Sequence, residues 1–147
     1  MVCLGNICRS PLAAGILKNQ TEKLGLNWKV DSAGTSSWHI GDPPDSRSIA
    51  IARDNGVDIS DQKARQFLVK DFDRFDLILT MDSCNYRDVL SLARDDNDSD
   101  KVHLIMNFLT PGKNGEVPDP YYDNGFPGVF KMLNQTCEKI IEEYVII

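Results

Sequence analysis

The sequence predicts an α/β domain built on a parallel sheet with helices on both faces. Three observations carry that expectation. Short apolar runs of strand length recur, DLILTM at 76–81 and KVHLIM at 101–106, and segments with helical periodicity lie between them. The chain has 147 residues, 41% of them hydrophobic, enough to bury the core of one domain, expected to cover 1–147.

The elements follow in order. A loop, LGNICRS, leads to a helix expected from Pro11 to Leu24, with Gly25 at the position after a helix end where positive φ is wanted. A short strand is expected at Trp28 to Asp31. After a stretch rich in Gly, Pro and Ser, Asp45 or Ser46 caps a helix running to Asn55 and stopped by Gly56. The strand Asp76 to Met81 is followed by Asp82, which caps a helix reaching Ala93. The acidic loop DDNDSD separates that helix from the strand Lys101 to Met106. The last helix, expected from Pro127 to Tyr144, places Phe130, Leu133, Cys137, Ile140, Ile141 and Tyr144 on one stripe. Only Met1 and Val2 precede Cys3, whereas strands run to about five or six residues. The expectation is therefore a truncated first strand, with the native chain beginning upstream.

Composition narrows the function. A net charge of −6 and a pI near 4.8 argue against a protein that gains affinity by neutralising a nucleic acid backbone. The cysteines at 3, 8, 84 and 137 form neither a zinc-ligand pattern nor a dense disulfide framework, so a reducing compartment is expected. No signal peptide is visible, and the apolar stretches are too short to span a bilayer. A soluble cytoplasmic protein without membrane contact is expected. Nothing in the sequence demands an oligomer, so a monomer is expected. Neither His39 nor His103 has an evident partner, and no metal or cofactor is implied.

The chemistry concentrates at the start. Cys3-Leu4-Gly5-Asn6-Ile7-Cys8-Arg9, then Ser10 and Pro11, puts a thiol and a guanidinium at the two ends of a tight loop that opens a helix. Free N–H groups and the positive dipole end of that helix suit a tetrahedral oxyanion and favour a thiolate over a thiol. Cys3 is the expected nucleophile, and Arg9 offers a planar fork to two phosphate oxygens. Leu4 to Ser10 form the phosphate cradle. Gly5 is expected to supply the backbone turn, Ser10 to donate to the Cys3 sulfur, and Asn6 to hold the loop from outside. Cys8 lies close enough to Cys3 for an oxidised pair, or packs beneath the loop as a small buried residue. Expulsion of the leaving oxygen from a phosphoryl group calls for a carboxylic acid, and Asp119 and Asp123 in VPDPYYD both qualify on spacing.

CLGNICRSP resembles the signature loop of the low-molecular-weight protein tyrosine phosphatases. The resemblance runs through DSAGT (Asp31 to Thr35), Trp38, KARQ (Lys63 to Gln66), DLILTMD and DPYYD (Asp119 to Asp123), almost the whole chain in order. It implies a flavodoxin-like four-stranded parallel sheet and a metal-free, two-step hydrolysis of phosphotyrosine proteins and aryl phosphates. It selects Asp119 as general acid, places Trp38, Tyr121 and Tyr122 around the aryl ring, and adds Ser32 to Asn6 and Ser10 as loop supports. Gln62 departs from the histidine often found at its position in eukaryotic members. Three other functions use similar loops or parts: thioredoxin-coupled arsenate reduction, which needs two further relay cysteines; phosphoarginine hydrolysis, where a small threonine replaces Ile7; and phosphate binding without turnover.

Overall fold

Four short parallel strands form the centre of the molecule, in the order β2-β1-β3-β4. The structure is a computed structural model and describes residues 1–145; Ile146 and Ile147, the end of the expected domain, lie outside the described residues. The strands are β1 (Val2–Cys3), β2 (Ala33–Gly34), β3 (Ile78–Thr80) and β4 (Val102–Leu104). The helices are α1 (Arg9–Lys23), α2 (Ser46–Asp54), α3 (Asp71–Arg74), α4 (Ser83–Leu90), α5 (Asp96–Asp100) and α6 (Phe126–Tyr144).

Successive strand residues point to opposite faces, and the two cores divide accordingly. Cys3 and Leu79 pack with α1, α2 and α6, while Val2, Ile78 and Val102 pack with Phe67, Phe72 and Val89 on the other side. The expected α/β/α layering and flavodoxin-like sheet are present. On α6 the stripe of Phe130, Leu133, Cys137, Ile140 and Ile141 is buried, but Tyr144 at its end is half exposed.

Caps expected from the sequence are in place. Asp45 accepts a hydrogen bond from the Arg47 N–H, Asp82 from that of Asn85, and Gly25 follows α1 with φ +70°.

Four expectations need correction. Trp28 to Asp31 is not a strand. β2 lies at Ala33–Gly34, because Val2 pairs with Ala33 and Cys3 with Gly34, so residues before Asp31 lie beyond the end of β1 and have no ladder partner. The acidic run is not a loop but α5. Asp95 caps it through the Asp98 N–H, acidic residues suit its positive end, and buried Asp98 is held by Arg94. The helix after Asp82 stops at Leu90, and i→i+3 bonds from Leu92 and Ala93 continue it as turns. The strand at 101–106 ends at Leu104, where a 3₁₀ turn begins at Ile105.

A cavity of about 510 Å³, lined in part by Met1, Trp28, Arg65 and Phe75, opens at the N-terminal end of the strands, away from the Cys3–Arg9 loop. No helix among the described residues is long and apolar enough to cross a membrane.

Candidate active site

The loop between β1 and α1 lies at the carboxyl end of the sheet, where open α/β sheets place their ligand sites. Cys8 is the N-cap of α1 and makes no side-chain cap bond, so no capping side chain claims the helix's first N–H groups. Cys3 is buried, and its Sγ is 3.0 Å from the Ser10 Oγ and accepts from the Asn6 N–H at 3.3 Å.

Asn6 holds the loop from within rather than from outside. It is 2% exposed; its Nδ2 donates to Ser10 Oγ at 2.7 Å and to Ser32 Oγ at 2.9 Å, and its Oδ1 accepts from the Arg65 N–H. The left-handed turn of the loop also falls on Asn6, with φ +57°, and not on Gly5. Asparagine enters that region at lower cost than other side-chain-bearing residues. Gln62 extends the network, accepting from Ser32 Oγ at 3.4 Å and donating to the Pro11 carbonyl at 3.1 Å.

Gly34 supports the loop from below. A Cβ built there would lie 2.8 Å from the Leu4 carbonyl oxygen and 3.1 Å from the Gly5 carbonyl carbon. The flanking N–H groups of Thr35 and Ser36 donate to the carbonyls of Cys3 and Leu4. Sequence reasoning gave Ser32 of DSAGT a role but Gly34 none; the signal for Gly34 was a glycine inside a strand, which marks a close backbone approach.

Arg9 is 4% exposed, and its Nη1 donates to Asp82 Oδ2 at 2.7 Å and to the Val117 carbonyl at 3.0 Å. Burial opposes its charge, but the Cys3 sulfur and the Asp82 carboxylate outweigh burial and raise its pKa. From sequence Asp82 was a helix cap alone. Its place directly after a strand, on the edge that carries ligand sites, was the available clue to a second role.

Asp119 reaches the same corner, its Oδ2 3.9 Å from Arg9 Nη2 and its Oδ1 accepting from the Tyr121 N–H. Tyr121 is half exposed and packs edge-on against Tyr122 at 5.0 Å; Tyr122 and Trp38 are largely exposed. Asp123 turns back on its own loop and accepts from the Gly125 N–H. His39 pairs with Asp42 at 3.2 Å and lies against Gly5, while His103 packs against Phe108. The thiols of Cys8 and Cys137 are pushed up to about 12, chiefly by burial. Cys84 is exposed on α4.

The Cys3–Arg9 loop, a buried guanidinium and the Asp119 carboxyl are thus gathered at one end of the sheet. The human low molecular weight phosphotyrosine protein phosphatase is 38% identical over 97% of this chain and 92% of its own. The crystal structure of YfkJ from Bacillus subtilis matches with a TM-score of 0.90 and 38% identity, covering 97% of this chain and 90% of that one. A drosophila arginine phosphatase matches with a TM-score of 0.91 and 30% identity, covering 99% and 96%. The family model for low molecular weight phosphotyrosine protein phosphatase matches residues 1–145, and the chain belongs to that family.

Proposed function

We propose that this chain is a single-domain, cysteine-dependent protein tyrosine phosphatase that hydrolyses phosphotyrosine and other aryl phosphomonoesters in two steps. The observation that carries the reading is the convergence of Cys3, Arg9 and Asp119: Cys3 ends β1, Arg9 opens α1 at the other end of the same loop, and Arg9 Nη2 stands 3.9 Å from the Asp119 carboxylate.

In the first step the Cys3 thiolate attacks phosphorus, the bond from phosphorus to the aryl oxygen breaks, and the departing oxygen takes a proton from Asp119. Arg9 and the loop N–H groups stabilise the charge on the equatorial oxygens. In the second step water attacks the cysteinyl phosphate, Asp119 takes back a proton, and Cys3 leaves as a thiolate, with Ser10 within hydrogen-bond reach of the sulfur. Trp38, Tyr121 and Tyr122 form the aryl slot, which suits flat apolar rings. The protein is read as a cytoplasmic monomer that engages neither nucleic acid nor membrane.

Likeness to the drosophila arginine phosphatase makes phosphoarginine the second reading. Ile7, larger than the threonine expected for a guanidinium substrate, favours the aryl group. Arsenate reduction is disfavoured because Cys137 is fully buried, its Sγ against the Ala13 carbonyl, and is unavailable to relay oxidation. A binding module needs neither a thiol nucleophile nor an acid.

Turnover of p-nitrophenyl phosphate, phosphotyrosine peptide and phosphoarginine peptide by the wild type, Cys3→Ser and Asp119→Asn tests the proposal. The expected result is aryl over guanidinium preference, no turnover in Cys3→Ser, and a loss of about 10²–10⁴-fold on phosphotyrosine in Asp119→Asn, the usual scale of general acid catalysis. Unchanged phosphotyrosine turnover in either variant refutes the assignment of that residue.

A further inference from the structure

The segment that carries Asp119 is tied to the rest of the molecule at few points. Within it, Tyr121 N–H bonds to Asp119, Asn124 N–H to the Pro120 carbonyl and Gly125 N–H to Asp123, all local contacts. Among the described residues, the hydrogen bonds that join residues 118–124 to another element both come from one side chain, Arg47. Its Nη1 donates to the Tyr121 carbonyl at 3.1 Å and to Asn124 Oδ1 at 2.6 Å. The same guanidinium lies over the Tyr121 ring at 5.3 Å and over the Phe126 ring at 4.7 Å, so it grips the segment by its backbone and by its aromatic faces.

Arg47 is itself held. Asp45 receives its Nε at 3.0 Å and its Nη2 at 3.1 Å as a two-pronged carboxylate, and caps α2 through the Arg47 N–H. The first turn of α2 is in turn fastened to the phosphate loop: Asp45 N–H donates to the Ile7 carbonyl at 2.8 Å, and Ser48 Oγ donates to the Cys8 carbonyl at 3.3 Å. A continuous chain of bonds therefore runs from the phosphate cradle, through Asp45 and Arg47, to the backbone of Tyr121, two residues from Asp119.

We propose that Arg47 is a positioning residue for proton transfer: it latches the Asp119 segment to the phosphate loop and fixes the height of the carboxyl over the leaving-group oxygen. The proposal rests on Asp119 as general acid. A bidentate, stacked role needs the planar fork, so lysine is a poor substitute. A general acid matters most when the leaving group is basic. Loss of the latch therefore falls selectively on such substrates, whereas loss of a distant positive charge would slow all dianionic substrates alike.

The experiment measures kcat/KM for phenyl phosphate, whose leaving group has the basicity of tyrosine (pKa about 10), and for p-nitrophenyl phosphate, whose leaving group is far less basic. Wild type, Arg47→Ala, Arg47→Lys, Asp119→Asn and the double variant Arg47→Ala/Asp119→Asn are compared. A misplacement of about 1 Å costs about 100-fold. Arg47→Ala is thus expected to lose about 10–100-fold on phenyl phosphate and at least several-fold less on p-nitrophenyl phosphate. Arg47→Lys should show the same selectivity, and Arg47→Ala should have no further effect in Asp119→Asn. If Arg47→Ala does not fold, Arg47→Lys carries the comparison. Equal losses on both substrates, or full additivity with Asp119→Asn, overturn the latch. If Asp119→Asn alone leaves phenyl phosphate turnover unchanged, the general-acid reading itself fails, a result distinct from failure of the latch.

Discussion

Gly34→Ala isolates the support that β2 gives the phosphate loop. Gly34 does not have a left-handed φ, so alanine fits the backbone and the added methyl acts only by bulk. That methyl would sit 2.8 Å from the Leu4 oxygen, 3.1 Å from the Gly5 carbonyl carbon and 3.2 Å from Asn6 Cβ. Two of these are backbone atoms, which cannot swing aside as a flexible side chain could. Moving the Leu4 oxygen out to the 3.4 Å at which ordinary contact begins requires about 0.6 Å. A shift of that size stretches the Ser36 N–H bond to the same oxygen and displaces the cradle by more than the roughly 0.5 Å that active-site geometry tolerates. Scaled from about 100-fold per Å, kcat/KM should fall by at least about tenfold. Overpacking should also cost about 1–3 kcal/mol of stability. Steady-state kinetics on p-nitrophenyl phosphate and thermal unfolding read the two effects. Gly25→Ala is the control: φ is +70° but a methyl there meets nothing within 4 Å, so it should cost about 1 kcal/mol of strain and leave kcat/KM intact. A Gly34→Ala protein with wild-type kcat/KM refutes the claim that β2 sets the height of the loop.

Two further outcomes follow from buried groups. Asp82→Asn keeps an N-cap for α4 but loses the charge facing Arg9, so it should cost about 1–2 kcal/mol; Asp82→Ala loses cap and ion pair together and should cost about 3–4 kcal/mol, with Arg9 still held by Val117. Thermal unfolding separates them, and equal costs would mean that the cap contributes nothing. On the alkaline side, the thiols of Cys8 and Cys137 are pushed up from 9.0 to about 12 in the folded protein, so the unfolded chain gives up these protons first as pH rises. Unfolding then binds fewer protons than the native state, and stability must fall between about pH 9 and pH 12. Urea midpoints across that range should show the decline, with a shallower slope in Cys137→Ala; an unchanged slope there would exclude Cys137 as a source.

What the sequence made legible was local. Asp45 and Asp82 announced helix starts, Gly25 a helix end, and the period of α6 its buried stripe, because each is decided within a few residues. The Cys3–Arg9 loop was legible for the same reason, with the thiol and the guanidinium only six positions apart. What escaped was decided by pairing across the chain. β2 could not be placed without the register of β1, since nothing in Trp28 to Asp31 reveals that the ladder begins two residues later. The left-handed turn went to Asn6 rather than Gly5 because the Asn6 side chain makes three hydrogen bonds, donating to Ser10 and Ser32 and accepting from the Arg65 N–H, more than glycine's conformational freedom could offset. Gly34, Asp82 and Arg47 act on residues about 30 or more positions away, and no spacing rule reaches so far.

In the proposed reaction, those distant partners let a fixed cation serve a phosphate that arrives and leaves. A guanidinium has five N–H donors. In Arg9 those on Nη1 are committed to Asp82 and to the Val117 carbonyl, which fixes the plane of the fork and partly balances its charge. The donors on Nε and Nη2 have no hydrogen-bond partner among the described residues, and Nη2 faces the Asp119 carboxylate only at 3.9 Å. An arriving phosphate oxygen therefore meets donors already oriented, and little side-chain entropy remains to be lost on binding.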